Sequence, residues 1–326
     1  MNTIKNSRIF ITGGAGFVGS HLADALLAEG AAEVIALDNF VRGNHDNVKD
    51  ALATGRFGLV EGDIRDAKLV DSLTAGCDYV FHEAALRITA CAADPRAAYD
   101  VMFAGTFNVL EAAVKHKVKK VIAASSASVY GEPDALPITE AHPFNNRTLY
   151  GAGKVASEQL LRSFADMYDL NYVALRYFNL YGPRMDMTGV YTEVMVRWLD
   201  CMSRGEAPLI FGTGLQTMDF VHVSDCVRAN LAALRSDVTD DVFNVATGVE
   251  TSLNDLCRFL LTLTGHDELT PEHRPERKVN PVSRRRGCTE KARALLGFES
   301  QLSLADGLRD LIAWRQTQML ELRAAA

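Results

Sequence analysis

The chain has no Cys-x-x-Cys pair, no apolar run long enough to cross a bilayer, no low-complexity linker and no internal repeat. Its six cysteines, Cys77, Cys91, Cys201, Cys226, Cys257 and Cys288, stand far apart, which reads as a reduced set of packing residues. No cluster of His, Cys and Asp has zinc-like spacing, so no metal is expected. Positive charge is thin as well: 34 Lys and Arg face 41 Asp and Glu, a formal charge of −7, and Arg284-Arg285-Arg286 is the only basic triplet. That balance argues against a nucleic-acid or membrane-surface role, and the triplet reads as a solvated or anion-binding loop. The opening residues Met1 to Lys5 hold no signal-peptide core, so a cytoplasmic location is expected. What the chain does have is length and apolar content, 326 residues at 48% hydrophobic, enough for two lobes with a substantial core.

The most organised stretch lies near the start. Arg8 to Thr12 is an apolar β-type run; it enters the turn Gly13-Gly14-Ala15-Gly16, and Phe17 to Leu27 leaves it with helical spacing. Strand, glycine turn and helix form a phosphate cradle: Gly13 and Gly16 let the backbone approach an anion, Gly19 lets the helix pack on the strand, and the amides around Phe17 and Val18 carry the positive helix end. Alone, the same pattern describes a tight turn without a ligand. A second strand, Glu33 to Leu37, ends in Asp38, where a carboxylate accepts from the adenosine ribose. With that acid the reading is a dinucleotide site, for NAD rather than NADP, since Asp38 repels a 2′-phosphate. Arg42 is the one nearby residue that speaks for NADP.

Further strands are expected at Gly58 to Ile64, Tyr79 to His82, Lys120 to Ala124 and Tyr172 to Tyr177, with helices over Ala97 to Lys115 and Tyr150 to Tyr168 between them. This alternation predicts an α/β fold, a Rossmann-type doubly wound parallel sheet with right-handed crossovers over residues 1–178. Small residues after the fourth strand, Ala84 and Ala85, suit a cofactor lying across the sheet edge; the plainer alternative is helix-start packing. Residues 179–326 read as a smaller α/β substrate lobe: a helix from Val190 to Arg204, strands at Pro208 to Phe211 and Asp219 to Val223, and helices at Leu253 to Leu263, Thr289 to Leu296 and Leu304 to Gln318. Within it, the stretch around residues 219–248, with a strand at Val242 to Ala246, is expected to return to the first sheet. The cleft then opens at the carboxyl ends of the strands.

Tyr150 and Lys154 stand at i and i+4 on one helix, so phenol and ammonium share a face. A neighbouring cation favours phenolate over the usual pKa of about 10, which makes a base usable near neutral pH. None of the other eight tyrosines is followed by lysine at this spacing. A Tyr/Lys pair alone describes a solvated helix face; after a strand that ends in Ser125-Ser126 it describes a catalytic pair.

With these residues in view, the chain resembles the extended short-chain dehydrogenase/reductase family, the NAD-dependent sugar-nucleotide epimerases and dehydratases. The resemblance runs through Thr12 to Gly19, Leu37-Asp38-Asn39, Gly62-Asp63-Ile64, Ser125 to Gly131, Tyr150-x-x-x-Lys154 and Arg176 to Arg184. It implies that Ser126 bonds the reacting sugar oxygen, Tyr150 is the base and Lys154 binds the cofactor ribose. It further implies that Asn39, Asp63 and Ile64 meet the adenosine, that Asn179 meets the substrate diphosphate, and that the protein is a homodimer built on the helices of Phe107 and Tyr150.

Dehydratases of the family carry an acidic pair after the serine, and decarboxylases a glutamate at the second position. Here Ala127 and Ser128 stand there, so the resemblance points to 4-epimerases of UDP-glucose, UDP-N-acetylhexosamine or UDP-glucuronate type. The rivals are a nucleotide-sugar 4-ketoreductase, a dehydratase and a non-catalytic dinucleotide-binding protein. The chain departs from the family at Met102 (usually Asn), Met218 (often Arg) and Gly287-Cys288 (commonly Ala-Asp). The second departure moves the grip on the substrate phosphates elsewhere, with Arg184, Arg277 and Arg284 as candidates; Arg87 and Tyr191, with Thr188, are candidates for contact with the sugar.

Overall fold

Burial on both faces makes the central strands nearly continuous apolar runs, and these runs build one parallel sheet. The computed structural model describes residues 2–187, 194–276 and 282–325. The first half runs β1 (Arg8–Thr12), α1 (Phe17–Ala28), β2 (Glu33–Asp38), α2 (Lys49–Ala53), β3 (Phe57–Glu61), α3 (Ala67–Thr74), β4 (Tyr79–His82), α4 (Ile88–Ala93), α5 (Pro95–Tyr99), α6 (Thr106–Lys115), β5 (Lys120–Ser126), α7 (Leu149–Tyr168) and β6 (Tyr172–Tyr177). Then come β7 (Asn179–Tyr181), α8 (Val194–Met202), β8 (Leu209–Phe211), β9 (Thr217–Met218), β10 (Phe220–His222), α9 (Val223–Arg235), β11 (Asp241–Val245), β12 (Thr251–Ser252), α10 (Leu253–Thr264), β13 (Glu272–Arg274), α11 (Glu290–Leu296) and α12 (Leu304–Ala325).

The sheet has the order β11-β6-β5-β4-β1-β2-β3, all neighbours parallel. Alternate side chains feed two cores. Ile9, Ile11, Ala36, Phe81, Ile122, Leu175 and Phe243 pack with Leu22 and Leu26 of α1 and with Ala229 and Leu234 of α9. Phe10, Ile35, Val80, Val121 and Ala174 pack with Val70 of α3, Leu110 of α6 and Leu161 of α7. This is the doubly wound α/β arrangement expected from the alternation. Strand order reverses at β1, between β2 and β4, which opens a crevice at their carboxyl ends.

β11 does join the first sheet, with Asp241 opposite Val173 and Val245 opposite Tyr177. A third core gathers Trp198 and Leu199 of α8, Leu256 and Leu260 of α10, and Leu308 and Leu311 of α12. Small two-stranded pairings, β10 with β7, β12 with β9 and β13 with β8, tie this part together. Among the described residues no helix is long and apolar enough to cross a membrane.

Three expected elements differ in detail. The helix expected over Ala97 to Lys115 starts earlier, at Pro95, because Asp94 accepts from the amides of Arg96 and Ala97, and it is interrupted by a π-helical turn, Asp100–Gly105. At that turn Gly105 lies against Ile64, whose Cδ1 would stand 2.6 Å from an added Cβ. The strand expected to reach Ile64 stops at Glu61, since Asp63 turns back to accept from its own neighbour, the Arg65 amide. The helix expected from Val190 is described only over Val194–Met202, and its first residues lie outside the described residues.

Candidate active site

At the switch point, β1 ends in a turn that leaves no room for side chains. Gly13 has φ +71°, and a Cβ there would stand 2.9 Å from the amide nitrogen of Ala84; one on Gly19 would run into the carbonyl oxygen of Gly13. The turn is pinned by Gly13 N–H donating to the Leu37 carbonyl at 2.7 Å. Gly13, Gly16, Phe17, Val18 and Gly19 line one wall of the cleft, with α1 starting behind them. His82, the last residue of β4, bridges Thr12 and Thr106 through its two ring nitrogens at 2.8 and 3.0 Å, and burial pushes its pKa down to about 3. A neutral imidazole thus locks β1, β4 and α6 around the turn.

Asp38 ends β2 almost fully buried, and its carboxylate accepts from the amides of Ala15 and Phe40, each at 2.9 Å. Desolvation raises its pKa against these bonds. Asn39 donates to Asp63 at 2.8 Å, and Arg65 clamps the same carboxylate, lowering its pKa to about 2. Asp38, Asn39, Asp63 and Ile64 all line the cleft wall next to the turn, as does Ala85; Ala84 backs it against Gly13. Arg42, the residue that spoke for NADP, is engaged across the cleft by Asp186 at 3.1 Å. A glycine cradle that any Cβ would fill, beside a buried acid, fits NAD.

The opposite wall comes from β5 and α7. Thr148 caps α7 by accepting from the Gly151 amide at 3.0 Å, which places Tyr150 in the first turn. Lys154, buried one turn on, donates to the Ala124 carbonyl at 2.6 Å and lies 5.9 Å from the centre of the Tyr150 ring. Ser126, the last residue of β5, accepts from the Ser128 amide at 3.1 Å, which leaves its own hydroxyl proton for another partner. Behind this wall a buried ion pair fixes α7 to β6: Arg176 donates to both oxygens of Glu158 at 2.8 and 2.7 Å, while Ser125 also donates to Glu158. Breaking such a pair costs about 3–5 kcal/mol. Met102, in the place of the family's asparagine, does not line the cleft; it packs with Cys91 and Ala98 against Tyr150.

Of the expected substrate contacts, Asn179, Arg184 and Arg87 line the cleft with Ser126. Arg184 is paired with Asp24 at 2.7 Å and Arg87 with Asp186 at 3.6 Å. Tyr191, Arg277 and Thr188 lie outside the described residues. Arg284 is a correction. It is exposed and faces away from the cleft, donating to both oxygens of Glu250 at 2.9 and 2.6 Å, because residues 283–285 run beside β9 and alternate sides. The next residue, Arg285, turns inward and lines the cleft. The basic triplet marked the segment in the sequence, but only its backbone pairing with Thr217 in the structure picks the middle residue.

Two further cleft residues, Glu83 and Tyr177, were missed. Glu83 directly follows β4 and accepts from the Tyr177 hydroxyl at 3.0 Å; that hydroxyl is also bonded to Asn230. Burial pushes the Glu83 pKa up to about 7 against the pull of Tyr177 and Lys154. An acid immediately after a strand at the switch point was the available signal.

The sequence profile of the NAD dependent epimerase/dehydratase family matches residues 9–246. The chain belongs to that family. The family member named UDP-glucose 4-epimerase from Mycolicibacterium smegmatis is 37% identical over 304 residues, covering 92% of this chain and 96% of that one. UDP-N-acetyl-alpha-D-glucosaminuronate decarboxylase from Bacillus cytotoxicus is 33% identical, covering 94% and 97%. The crystal structure of UDP-glucose 4-epimerase from Thermotoga maritima with UDP-glucose superposes with a TM-score of 0.90 at 34% identity, covering 96% of this chain and 99% of that one. As a member of this NAD-dependent epimerase/dehydratase family, the protein is an enzyme that uses NAD, and its structural neighbours bind nucleotide sugars.

Proposed function

We propose that this family member interconverts C4 epimers of a nucleotide-linked hexose through a 4-keto sugar. The observation that carries the reading is the joint placement of Ser126, Tyr150 and Lys154 on one cleft wall, with Ala127 and Ser128 where an acidic pair would serve elimination. Ala127 is buried and Ser128 lines the cleft, so neither position offers a carboxylate. Glu83, the lining acid that directly follows β4, is engaged by Tyr177.

The glycine turn, Asp38, Asn39, Asp63, Ile64 and Ala85 would hold NAD, with Lys154 at its ribose, and the cofactor would supply the acceptor and donor of the hydride exchanged at C4 of the sugar. Tyr150 removes the proton of the 4-hydroxyl, and Ser126 donates its free hydroxyl proton to the same oxygen. Lys154 sets positive charge beside the phenol from which the proton must leave. The keto sugar turns over, and Tyr150 returns the proton to the oxygen of the other epimer. Asn179 and Arg184 hold the diphosphate throughout. UDP-glucose 4-epimerases among the relatives support this reading, and a decarboxylase among them defines what must be tested.

The test is NMR of UDP-hexoses and UDP-hexuronates incubated with the purified enzyme. A C4 epimer is expected, with carbon dioxide and 6-deoxy products absent, and Tyr150→Phe is expected to lower turnover by a factor on the order of 100 or more. Identical product yields from Tyr150→Phe would end the proposal. Dimerisation belongs to the same reading. Tyr99, Phe103, Phe107 and Tyr168 expose aromatic surface on α5, the π turn, α6 and α7, with Phe107 edge-on to Phe164 at 5.3 Å.

A further inference from the structure

Two residues at the adenosine end of the cleft carry opposite preferences. Asp38, at the end of β2, brings the negative charge that repels a 2′-phosphate, and Arg42, on the loop that follows, brings the positive charge that would bind one. They are close in space as well as in sequence. The Phe40 amide donates to Asp38 at 2.9 Å, and a Cβ on Gly43, next to Arg42, would stand 2.6 Å from an Asp38 carboxylate oxygen. The loop thus curls over the acid, and Asn44 pins it by donating its amide to the Ala15 carbonyl of the glycine turn at 3.1 Å. Asp38, Arg42 and Gly43 all line the cleft.

The Arg42 guanidinium is turned away from this end. Its Nε donates at 3.1 Å to Asp186, which comes from the segment after β7 on the far side of the cleft. The same carboxylate oxygen lies 3.6 Å from a guanidinium nitrogen of Arg87. The Asp186 side chain is 14% exposed and that of Arg42 is 37% exposed, so the acid is the enclosed partner and the arginine reaches across to it. Strand order distinguishes the two arginines that share the acid: Arg87 follows β4, whereas Asp38 and Arg42 follow β2, on the opposite side of β1. Of the two, Arg42 is the one beside the adenosine ribose.

We propose that Asp186 is a positioning residue for cofactor choice: by holding the Arg42 guanidinium across the cleft, it keeps that charge from the 2′-phosphate of NADP. Discrimination then has two parts, repulsion by Asp38 and withdrawal of the cation that would offset it. The inference concerns the dinucleotide alone and holds for any reaction at the sugar.

The experiment is a competition on the full-length, NAD-loaded protein. The protein is equilibrated with NAD and a large excess of NADP, free nucleotide is removed, and the bound dinucleotides are released and resolved by chromatography. Asp186→Asn is expected to raise the ratio of bound NADP to bound NAD by about tenfold, while Asp186→Glu, which keeps the anion, should recover most of the wild-type ratio. Arg42→Met alone should move the ratio by less than about threefold, because the guanidinium is already withdrawn; in the Asp186→Asn background it should abolish the gain. Arg87→Met in that background should leave the gain in place. A melting temperature that still rises on addition of NAD shows that each variant is folded. No gain in Asp186→Asn would overturn the proposal, as would a gain that survives Arg42→Met or depends on Arg87. A large fall in the ratio from Arg42→Met alone would also overturn it, since the guanidinium would then meet the phosphate with Asp186 in place.

Discussion

Glu83 stands where β4 runs out, and burial opposes ionisation of its carboxyl inside the cleft. Its pKa is raised by burial to about 7 from an ordinary 4.5. A carboxyl whose folded pKa is raised binds a proton more tightly folded than unfolded, so its contribution is full below about pH 4.5 and is lost as pH rises through about 7. Glu83→Gln keeps an acceptor for Tyr177 and removes the charge. The melting temperature of the wild type should therefore fall, relative to Glu83→Gln, as pH is raised across that window, with the two curves flat against each other above it. Parallel curves throughout would show that Glu83 stays ionised in the fold. The same residue explains a limit of sequence reading. Asp38 was legible because an acid at that distance from a glycine turn has one common use, whereas Glu83 is defined by Tyr177 and Asn230, which lie far along the chain and converge only through β6 and α9.

At the scale of elements, α7 carries Tyr150 and Lys154, and the π turn before α6 packs against the stretch between them. Gly153, between Tyr150 and Lys154, has its Cα face against Met102 of that turn, and an added Cβ would stand 2.8 Å from the Met102 Cβ. Gly153→Ala should push the two elements apart, costing about 1–3 kcal/mol of stability and lowering turnover more than it changes NAD affinity. Chemical denaturation and steady-state kinetics check both parts; an unchanged melting point would mean that the turn yields freely. The α7 helix and its Tyr150/Lys154 face were readable from spacing, as were β1 to β6, because each is a local pattern of period 3.6 or 2. The π turn was not, since it answers to the fit of Gly105 on Ile64 and not to periodicity. The choice between Arg284 and Arg285 failed for a related cause: three identical residues have no internal pattern, and only the pairing of their backbone with Thr217 assigns one inward and one outward.

For the whole molecule, the exposed aromatics gather in two ring groups, Tyr99 stacked on Phe103 and, where α6 meets α7, Phe107 and Tyr168 around Phe164. Phe107→Glu should convert a dimer into a monomer in light scattering and, by freeing α7, reduce turnover; a wild type that is already monomeric would remove this part of the proposal. Six of the seven strands of the main sheet are complete by Tyr177, yet the seventh is not made until Asp241–Val245. While the ribosome adds the intervening segment, β6 presents an open edge of unpaired amides and carbonyls, the kind of edge onto which a second nascent chain can add. Synthesis must outrun that encounter. A protein shortened before Asp241 keeps the glycine turn, Asp38, Ser126, Tyr150 and Lys154, and is still expected to precipitate, because its sheet has been left unclosed on the side where the last strand should arrive.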